Sequence, residues 1–309
     1  MREPNSAIYR PSILITGGSG LVGTLLTDKL LSLNHKVNHL SRKPGTGDDV
    51  KTYLWDVDKG EIDESCIDGV EMIVHLAGAG IADKKWTDER KREITESRSE
   101  SIRLIYDVLK KTRNKVNTVI SASAIGYYGD RGDELLTEDS NPGEGFMPQC
   151  CIEWEKAVDE GKQLGLRVVK FRTGVLLDKN DGALPQMAKP VKLFAGAAFG
   201  SGKQWVPWIH GRDVVRMYMH AIENINVTGV YNMVAPEPVT NKQLIRAVAK
   251  QLHRPLWPIK APAAFFRLLL GEMSTLVLGS TRVSAQRILD DGFIFQYPHL
   301  DEALNDIYG

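Results

Sequence analysis

A cluster of glycines follows the first apolar run of the chain, in the stretch PSILITGGSGLVGTLL from Pro11 to Leu26. The run SILIT is rich in β-branched residues and leucine, which favours a strand, and the apolar residues after the glycines recur at helical spacing. Gly17, Gly20 and Gly23 therefore stand in a turn between a strand and a helix. Repetition of such a unit along a chain predicts an α/β protein.

The alternation of strands and helices does continue along the sequence. Apolar runs predict five further strands, which read KVNHLS, KTYLWD, EMIVHLAG, NTVISAS and RVVKFRTGVLL. Amphipathic segments separate several of them. Apolar strands that alternate with helices predict a parallel sheet covered on both faces, so the expected fold class is α/β with a doubly wound parallel sheet.

Composition argues against several classes of partner. The 309 residues contain 39 basic and 39 acidic side chains, so no net field attracts nucleic acid or a membrane, and we expect neither. The N-terminus lacks the apolar core of a secretory signal. The richest apolar stretch, residues 261–278, is interrupted by Arg267 and Glu272, which makes it a poor membrane span. We therefore expect a cytoplasmic location. The three cysteines and seven histidines show no zinc-ligand spacing, so no metal site is predicted.

The context of the glycine cluster favours a phosphate-binding loop over a purely structural turn. At this position the first glycine permits a tight turn, the second lets backbone approach a pyrophosphate, and the third allows close helix packing. The free N–H groups of the helix then face the anion. The residues of this predicted loop are Gly17, Gly18, Ser19, Gly20, Leu21, Val22 and Gly23.

The end of the second predicted strand indicates which dinucleotide binds. NAD-selective sites usually carry Asp or Glu there, which accepts hydrogen bonds from the ribose hydroxyls. This chain has Ser41, Arg42 and Lys43 instead. A guanidinium can hold a 2′-phosphate through two parallel charge-assisted bonds, so Ser41 and Arg42 favour NADP(H). The alternative is that Arg42 and Lys43 are simply solvated in a loop.

From Gly17 onward the sequence resembles the extended short-chain dehydrogenase/reductase superfamily, and within it the atypical branch of epimerase family proteins. The motifs that carry the resemblance are TGGSGLVG, SRKPG, HLAGAGI, ESR, SASAIGYYG, WEKA, FRTGVLL, WVPWIHGRDVV, NMVAPEPVTN and DDGF, which together extend from about Ser12 to Leu304. The resemblance implies a Rossmann-type NADP(H)-binding domain over residues 11–180, completed by parts of 205–235. It also implies a smaller C-terminal substrate lobe over residues 236–305.

The same resemblance assigns further positions to the cofactor site. Positions at the ends of the third and fourth predicted strands would lie near the adenine and along the cofactor. Two charged positions on the next helix, a serine of the fifth strand and a leucine of the sixth would approach NADP(H). In chain order these residues are Asp56, Leu76, Ala77, Gly78, Glu93, Arg98, Ser121 and Leu176. For Glu93 and Arg98 the alternative is an ordinary charged helix face.

The acid–base residues of the superfamily are incomplete in this chain. Active members combine a serine with a YxxxK pair, whose lysine helps to lower the tyrosine pKa from about 10. Ser123 is the analogue of that serine, although a polar residue closing a strand is an alternative. The helix that should carry the pair reads CCIEWEKA and has no tyrosine. The atypical branch is likewise marked by Cys and Trp-Glu at these positions.

One YxxxK spacing does occur, at Tyr106 to Lys110, but it precedes the fifth predicted strand. The segment SIRLIYDVLKK has an ordinary apolar helix face that includes Tyr106. We therefore interpret Tyr106 as a packing residue and Lys110 as solvated.

Several side chains remain candidates for the catalytic acid. Ser123 ranks first, and Tyr127 or Tyr128 on the following loop ranks next. Cys151, with an ordinary pKa of about 8.5, and His210 are chemically suited to proton transfer but rank last, because core packing and a structural role explain them better.

Two functions from different classes fit these observations. The first is an NADP(H)-dependent oxidoreductase acting on an unidentified carbonyl compound or nucleotide sugar, with Arg172 and Lys203 as candidate contacts to an anionic substrate. The second is a catalytically impaired NADP(H)-binding sensor or regulatory protein. A homodimer is compatible with both.

Overall fold

Eight strands form the central sheet in a computed structural model of the chain, which describes residues 10–45, 49–257 and 260–309. The other strands of the described residues form two-stranded ribbons. All the strands, in chain order, are β1 (Ile13–Thr16), β2 (Val37–Ser41), β3 (Lys51–Asp56), β4 (Glu61–Ile62), β5 (Met72–His75), β6 (Thr118–Ala124), β7 (Leu135–Leu136), β8 (Arg167–Thr173), β9 (Val175–Leu177), β10 (Ala198–Phe199), β11 (Trp205–Val206), β12 (Trp208–His210), β13 (Gly229–Met233), β14 (Val239–Thr240), β15 (Lys260–Ala261) and β16 (Arg282–Val283). The order across the central sheet is β13-β8-β6-β5-β1-β2-β3-β4. Its pairs are parallel except β3–β4, which is antiparallel.

Helices cover both faces of this sheet. They are α1 (Leu21–Ser32), α2 (Asp88–Lys111), α3 (Phe146–Asp159), α4 (Ala183–Lys192), α5 (Gly211–Glu223), α6 (Asn241–Gln251), α7 (Ala263–Leu270), α8 (Thr275–Leu278), α9 (Gln286–Asp290) and α10 (Leu300–Tyr308).

Strand alternation divides the core into two layers. In β1, Ile13 and Ile15 pack with α1 and α5 on one face, whereas Leu14 packs with α2 and α3 on the other. A third cluster joins α4, α6 and α10 around Trp208 and Leu244. The predicted doubly wound α/β fold with a smaller C-terminal lobe is therefore confirmed.

The predicted strand RVVKFRTGVLL is divided in the structure. β8 ends at Thr173, and β9 pairs with β12 in a separate parallel ribbon. Gly174 lies at the break, where a Cβ would approach the Pro207 carbonyl oxygen to 2.6 Å. A glycine inside a strand pattern marks a bulge or a close approach of backbone, and here that approach comes from Pro207.

The described residues contain neither a membrane-spanning helix nor a cluster of metal ligands. No helix there combines the length and apolar character needed to cross a bilayer. No group of three or more His, Cys, Asp or Glu side chains there could hold a metal ion.

Candidate cofactor and active site

The glycine turn has the conformation that a phosphate loop requires. Gly17 has a φ of +70°, and a Cβ there would lie 2.9 Å from the Leu76 carbonyl carbon. A Cβ on Gly23 would collide with the Gly17 carbonyl oxygen, so α1 can approach the turn closely only with glycine at this position. At Gly20 the nearest atom to an added Cβ is the Gly17 oxygen at 3.4 Å, so open space lies beside it.

Helix α1 begins at Leu21 without a side-chain cap. Gly20 is the N-cap and accepts the first helical bond from Thr24 N at 2.8 Å, but it has no side chain to satisfy the N–H groups of the first turn. No acidic residue lies in that turn. Ser19 and Gly20 are exposed. The positive end of the helix dipole and the first-turn N–H groups can therefore receive an anion.

Gly18 has a packing role beneath this loop. A Cβ there would lie 2.5 Å from the His39 ring, and His39 Nε2 lies 2.9 Å from Thr27 Oγ1. Burial lowers the pKa of His39. His39 of β2 thus packs beneath the glycine turn on its buried side.

A cleft of about 540 Å³ opens where β2 and β3 end. Its lining includes Arg42, Trp55 and Asp56. Arg42 is exposed and has no ion-pair partner within the described ranges, whereas Asp56 pairs with Lys59 at 2.9 Å. Ser41 precedes Arg42 and accepts a bond from the Lys43 N–H at 3.2 Å. The cleft thus offers an aromatic wall and an unpaired guanidinium.

A threonine in β1 shapes the loop that follows β5. Thr16 Oγ1 accepts bonds from the Leu76 and Ala77 N–H groups, both at 3.1 Å, and lies 3.0 Å from His75 Nδ1. Because two N–H groups occupy the hydroxyl lone pairs, its own hydrogen is directed to Nδ1. His75 is therefore neutral, with its proton on Nε2, which lies 3.2 Å from Ser101 Oγ. Burial lowers the pKa of His75 to about 4.

Arg98 lies beneath the same loop. It is buried and donates from Nη2 to the Ala79 carbonyl at 2.9 Å and from Nη1 to Ile94 at 2.7 Å, while its guanidinium lies 5.1 Å from the Trp154 ring centroid. An added Cβ on Gly78 would meet the guanidinium carbon at 3.0 Å. The side chain therefore supports the backbone of residues 78–79, and the interpretation of Arg98 as an ordinary charged helix face is wrong.

The remaining cofactor candidates differ in accessibility. Glu93 is exposed and pairs with Arg90 Nη1 at 2.6 Å, which lowers the pKa of its carboxyl. Ser121 is fully buried and donates to the Ala122 carbonyl at 2.8 Å. Leu176 is partly buried, on β9 beside β12.

Ser123 is held by a buried ion pair rather than facing an open site. Its Oγ donates to Glu155 Oε1 at 2.7 Å, and Ser123 is only 3% exposed. Arg172 binds the same carboxylate through two bonds, Nε to Oε1 at 2.7 Å and Nη2 to Oε2 at 3.0 Å. The Ser123 hydroxyl hydrogen is thus committed to Glu155.

Arg172 also contacts both Tyr127 and Tyr128. Its Nη1 donates to the Tyr128 hydroxyl at 3.0 Å, and its guanidinium lies 3.4 Å from the Tyr127 ring centroid. Tyr128 is fully buried and donates to Asn232 Oδ1 at 2.7 Å, and burial raises its pKa to about 12. Tyr127 is partly exposed. The expectation that Arg172 contacts a substrate is wrong, because Arg172 is buried and its donors bind protein groups.

Helix α3 carries Cys151 and Glu155 four residues apart, the spacing of the superfamily's tyrosine and lysine. Cys151 is buried, its Sγ lies 3.7 Å from the Ala124 carbonyl oxygen, and burial raises the pKa of its thiol. The fourth residue after Cys151 is thus a carboxylate, whereas a YxxxK pair has an ammonium group at that spacing. Glu155 adds to the effect of burial in raising the pKa of the Cys151 thiol, and Arg172 opposes it.

The sequence contains a pattern that could have revealed this network. Lys170 and Arg172 are two residues apart in β8, on either side of Phe171. Glu155 and Asp159 are four residues apart on α3. Such spacings place each pair on one side of its element. In the structure Lys170 Nζ lies 2.7 Å from Asp159 Oδ2 and 3.7 Å from Glu155 Oε2. Buried acids and bases on facing elements are expected to pair.

His210 and Tyr106 have structural roles. His210 Nδ1 accepts from the Arg212 N–H at 3.1 Å and caps α5, while Nε2 lies 3.3 Å from Asp306. Burial lowers the pKa of His210. Tyr106 is buried and donates to the Val158 carbonyl at 2.7 Å, and Lys110 is exposed beside Asp107, so both predictions for this YxxxK spacing are confirmed.

Residues 13–233 match the profile of the NAD dependent epimerase/dehydratase family, and residues 261–307 match a domain of unknown function, DUF1731. The chain belongs to the NAD dependent epimerase/dehydratase family. The epimerase family protein YfhF of Bacillus subtilis is 36% identical over 298 residues, which cover 96% of this chain and 97% of YfhF. The sequence resemblance to epimerase family proteins is therefore confirmed.

Two solved structures share this architecture. The human epimerase family protein SDR39U1 (isoform 2), crystallised with NADPH, superposes with a TM-score of 0.84 at 29% identity, covering 96% of this chain and 99% of that one. A nucleoside-diphosphate sugar epimerase from Corynebacterium glutamicum gives a TM-score of 0.79 at 32% identity, covering 97% of this chain and 59% of that longer one.

Proposed function

We propose that this protein binds NADP(H) and that the superfamily's tyrosine–lysine proton transfer does not operate in it. The observation that carries the proposal is the pairing of an uncapped glycine turn with an exposed guanidinium that has no acidic partner among the described residues. The diphosphate would lie against residues 17–23, and Ser41 and Arg42 would hold the 2′-phosphate. The NADPH bound to human SDR39U1 supports this choice of cofactor.

The other predicted cofactor residues extend this proposal. Asp56 would lie beside the adenine in the cleft, and residues 76–78 would lie along the cofactor. Arg98 would act through the loop backbone that it supports, and Ser121 through the strand beneath. Glu93 and Leu176 would border the bound molecule. A cytoplasmic location, and the division into a cofactor domain over 11–180 and a substrate lobe over 236–305, belong to the same proposal.

The second half of the proposal rests on the network at Ser123. Bound NADPH supplies a hydride, but a carbonyl acceptor also needs a proton. Ser123 donates to Glu155, Tyr128 is buried with a raised pKa, and the Cys151 thiol is buried. These contacts favour a sensor or regulatory protein.

One observation favours a second candidate, an oxidoreductase acting on a carbonyl compound or nucleotide sugar. Tyr127, four residues after Ser123, is partly exposed, and the Arg172 guanidinium covers its ring. The Tyr127 hydroxyl would then donate the proton. Absorbance of NADPH in the presence of aldehydes, ketones and nucleotide sugars separates the candidates. Turnover that Tyr127→Phe abolishes would establish the oxidoreductase, whereas tight binding without turnover supports the sensor.

The cofactor assignment is tested by Arg42→Ala. Loss of a charge-assisted phosphate contact should weaken NADPH binding by about 1.5–3 kcal/mol, roughly ten- to a hundredfold, and leave NADH binding unchanged. Titration calorimetry with both coenzymes measures this. Lys29→Ala, an exposed cation at the far end of α1, is the control. Equal NADPH affinity in both variants would contradict the assignment.

A matched glycine pair tests the phosphate loop. Gly20→Ala adds a methyl group into open space, so thermal unfolding should stay close to that of the native chain while NADPH binding falls at least roughly tenfold. Gly23→Ala creates a collision inside the fold and should lower the unfolding temperature as well. NADPH affinity that survives Gly20→Ala would place the diphosphate elsewhere.

A further inference from the structure

Charge is unevenly distributed in this electrically balanced chain. Residues 183–203 contain three Lys and Arg, residues 241–271 contain six, and neither segment contains Asp or Glu. All nine cations are exposed. Among the described residues only Lys250 has an acidic partner, Asp301 at 2.7 Å. The whole-chain balance of 39 basic and 39 acidic residues therefore conceals a strongly basic region.

The same two segments expose apolar side chains. Of the eleven large apolar residues that are exposed in the described parts of the chain, six lie here, and the exposed fraction reaches 88% at Leu268. None of the residues of α7 is buried. The six are Leu193, Phe194, Trp257, Phe265, Leu268 and Leu269.

Backbone pairing brings the two segments together. β10 and β15 form a parallel pair, and the Trp257 N–H donates to the Gly196 carbonyl at 2.9 Å. The Trp257 indole N–H also donates to the Phe194 carbonyl, at 2.5 Å. The Arg254 guanidinium lies 4.7 Å from the Phe194 ring centroid. We call the exposed side chains of residues 189–194, 254–257 and 260–269 the basic apolar face.

Helix α7 is anchored from one side to β10. The Phe266 ring lies 5.0 Å from that of Phe199 on β10, whereas Phe265, Leu268 and Leu269 are exposed. Arg267 is exposed between them. The helix therefore presents aromatic, aliphatic and cationic groups that the described residues do not cover.

The chemistry of this face restricts what can cover it. A second copy in a two-fold dimer would bring like charges together, because the same patch meets itself. A nucleic acid would pair with the cations but leave Leu193, Leu268 and Leu269 without apolar contacts. The surface of an anionic bilayer can contact both the cations and the apolar side chains of this face. Its head groups attract Lys and Arg, while aromatic and aliphatic side chains enter the boundary of the acyl chains.

We propose that the basic apolar face docks the protein on the surface of an anionic lipid bilayer. Phe265, Leu268 and Leu269 enter the interface, and Lys192, Arg254 and the neighbouring cations lie at the level of the head groups. The proposal departs from the inference drawn from net charge alone, which argues against a membrane partner. The proposal is independent of NADP(H) binding.

Co-sedimentation of the full chain with vesicles tests the proposal. The protein should sediment with vesicles of phosphatidylcholine mixed with phosphatidylglycerol, but not with phosphatidylcholine alone, and high salt should release it. Leu268→Ser combined with Leu269→Ser should weaken binding at least roughly tenfold, as should Lys192→Glu combined with Arg254→Glu. Ile294→Ser and Lys36→Glu, at exposed positions outside the face, are the controls.

A nucleic acid or a second copy of the chain on the basic apolar face would give different results in these experiments. The proposal is overturned if anionic vesicles do not retain the protein, or if both paired variants bind as the native chain does. It is also overturned if duplex DNA is bound while vesicles are not, or if the leucine pair only converts a dimer into a monomer in size-exclusion chromatography. Thermal unfolding of each variant, expected to match the native chain, separates these results from misfolding.

Discussion

Glu155 carries the charge that distinguishes this site at the scale of single residues. Its carboxylate accepts the Ser123 hydrogen and both Arg172 bonds while nearly fully buried. A buried carboxylate is tolerated only when its partners compensate for lost hydration. Glu155 therefore explains why Ser123 and Arg172 have fixed positions, and why neither is free to act on a ligand.

Removal of Glu155 should destabilise the protein far more than removal of an exposed acid. Glu155→Ala leaves the Arg172 guanidinium buried without its carboxylate, so we expect a loss of about 3–5 kcal/mol in the free energy of unfolding. Asp107→Ala, which breaks an exposed pair with Lys110, should cost less than about 1 kcal/mol. Urea denaturation measures both, and similar losses would show that the buried pair is not stabilising.

Simultaneous replacement of both charges should recover part of this loss. Glu155→Leu combined with Arg172→Met removes the carboxylate and the guanidinium together, so no lone buried charge remains. We expect the double variant to be at least about 1 kcal/mol more stable than Glu155→Leu alone. Additive losses would indicate that the two side chains act independently.

Sequence reasoning reached part of this site. Ser123 could be matched to the superfamily's serine, and the missing tyrosine could be read from CCIEWEKA. The residue spacings in β8 and α3 indicate a charged side on each element, but they do not specify which partners meet, because that depends on how the helix packs on the strand. For this reason the sequence alone left Arg172 as a candidate contact to an anionic substrate.

At the scale of elements, the end of β1 and the loop after β5 behave as one unit. Thr16 receives the Leu76 and Ala77 N–H groups and donates to His75. Strand β1 thus fixes the backbone proposed to lie along the cofactor. The motifs SILIT and HLAG predict the two elements but not the hydroxyl that joins them.

Thr16→Val should uncouple these elements. The substitution keeps the β-branched shape but leaves the Ala77 N–H without its acceptor, whereas the Leu76 N–H keeps the Thr16 carbonyl oxygen at 3.2 Å. Stability should therefore fall by ~1–3 kcal/mol, and NADPH should bind more weakly. Thr16→Ser retains the hydroxyl and should keep NADPH affinity close to native. Urea denaturation and NADPH titration of both variants test this, and equal affinity in Val and Ser variants would exclude a positioning role.

At the scale of the whole molecule, buried neutral histidines couple stability to pH. Burial lowers the pKa of His75 to about 4 and also lowers those of His39 and His210. Between pH 4 and the unfolded value of about 6.5, His75 binds a proton in the unfolded chain but not in the folded one. Acid therefore favours unfolding in this window.

The free energy of unfolding should accordingly fall as the pH decreases from about 6.5 to 4, with His75 contributing up to about 3 kcal/mol. His75→Asn, whose amide oxygen can accept the Thr16 hydrogen, should flatten this dependence. His253→Asn, an exposed residue with positive φ, should not change it. Chemical denaturation across this pH range is the measurement, and identical slopes in all three proteins would contradict the assignment.

The fold class could be predicted from the order of elements, since alternating apolar strands and helices allow few arrangements. Surface properties could not be predicted in the same way. Sequence alone indicates only that the apolar stretch of residues 261–278 is a poor membrane span, because Arg267 and Glu272 interrupt it. The structure instead leaves Phe265, Leu268 and Leu269 exposed around Arg267 on a short helix. Exposure depends on packing between elements, which periodicity within one element does not specify.

The buried ion pair between Glu155 on α3 and Arg172 on β8 also restricts which substitutions the protein can accept during evolution. Replacing Glu155 with lysine would place three cations side by side inside the molecule. Replacing Arg172 alone would leave the buried carboxylate with only the Ser123 hydroxyl and the more distant Lys170 ammonium. Each single substitution should therefore destabilise the fold, because it leaves buried charge without full compensation, whereas the paired exchange should not. A laboratory attempt to install the tyrosine–lysine chemistry should therefore alter helix and strand together, because stepwise selection would discard the first substitution.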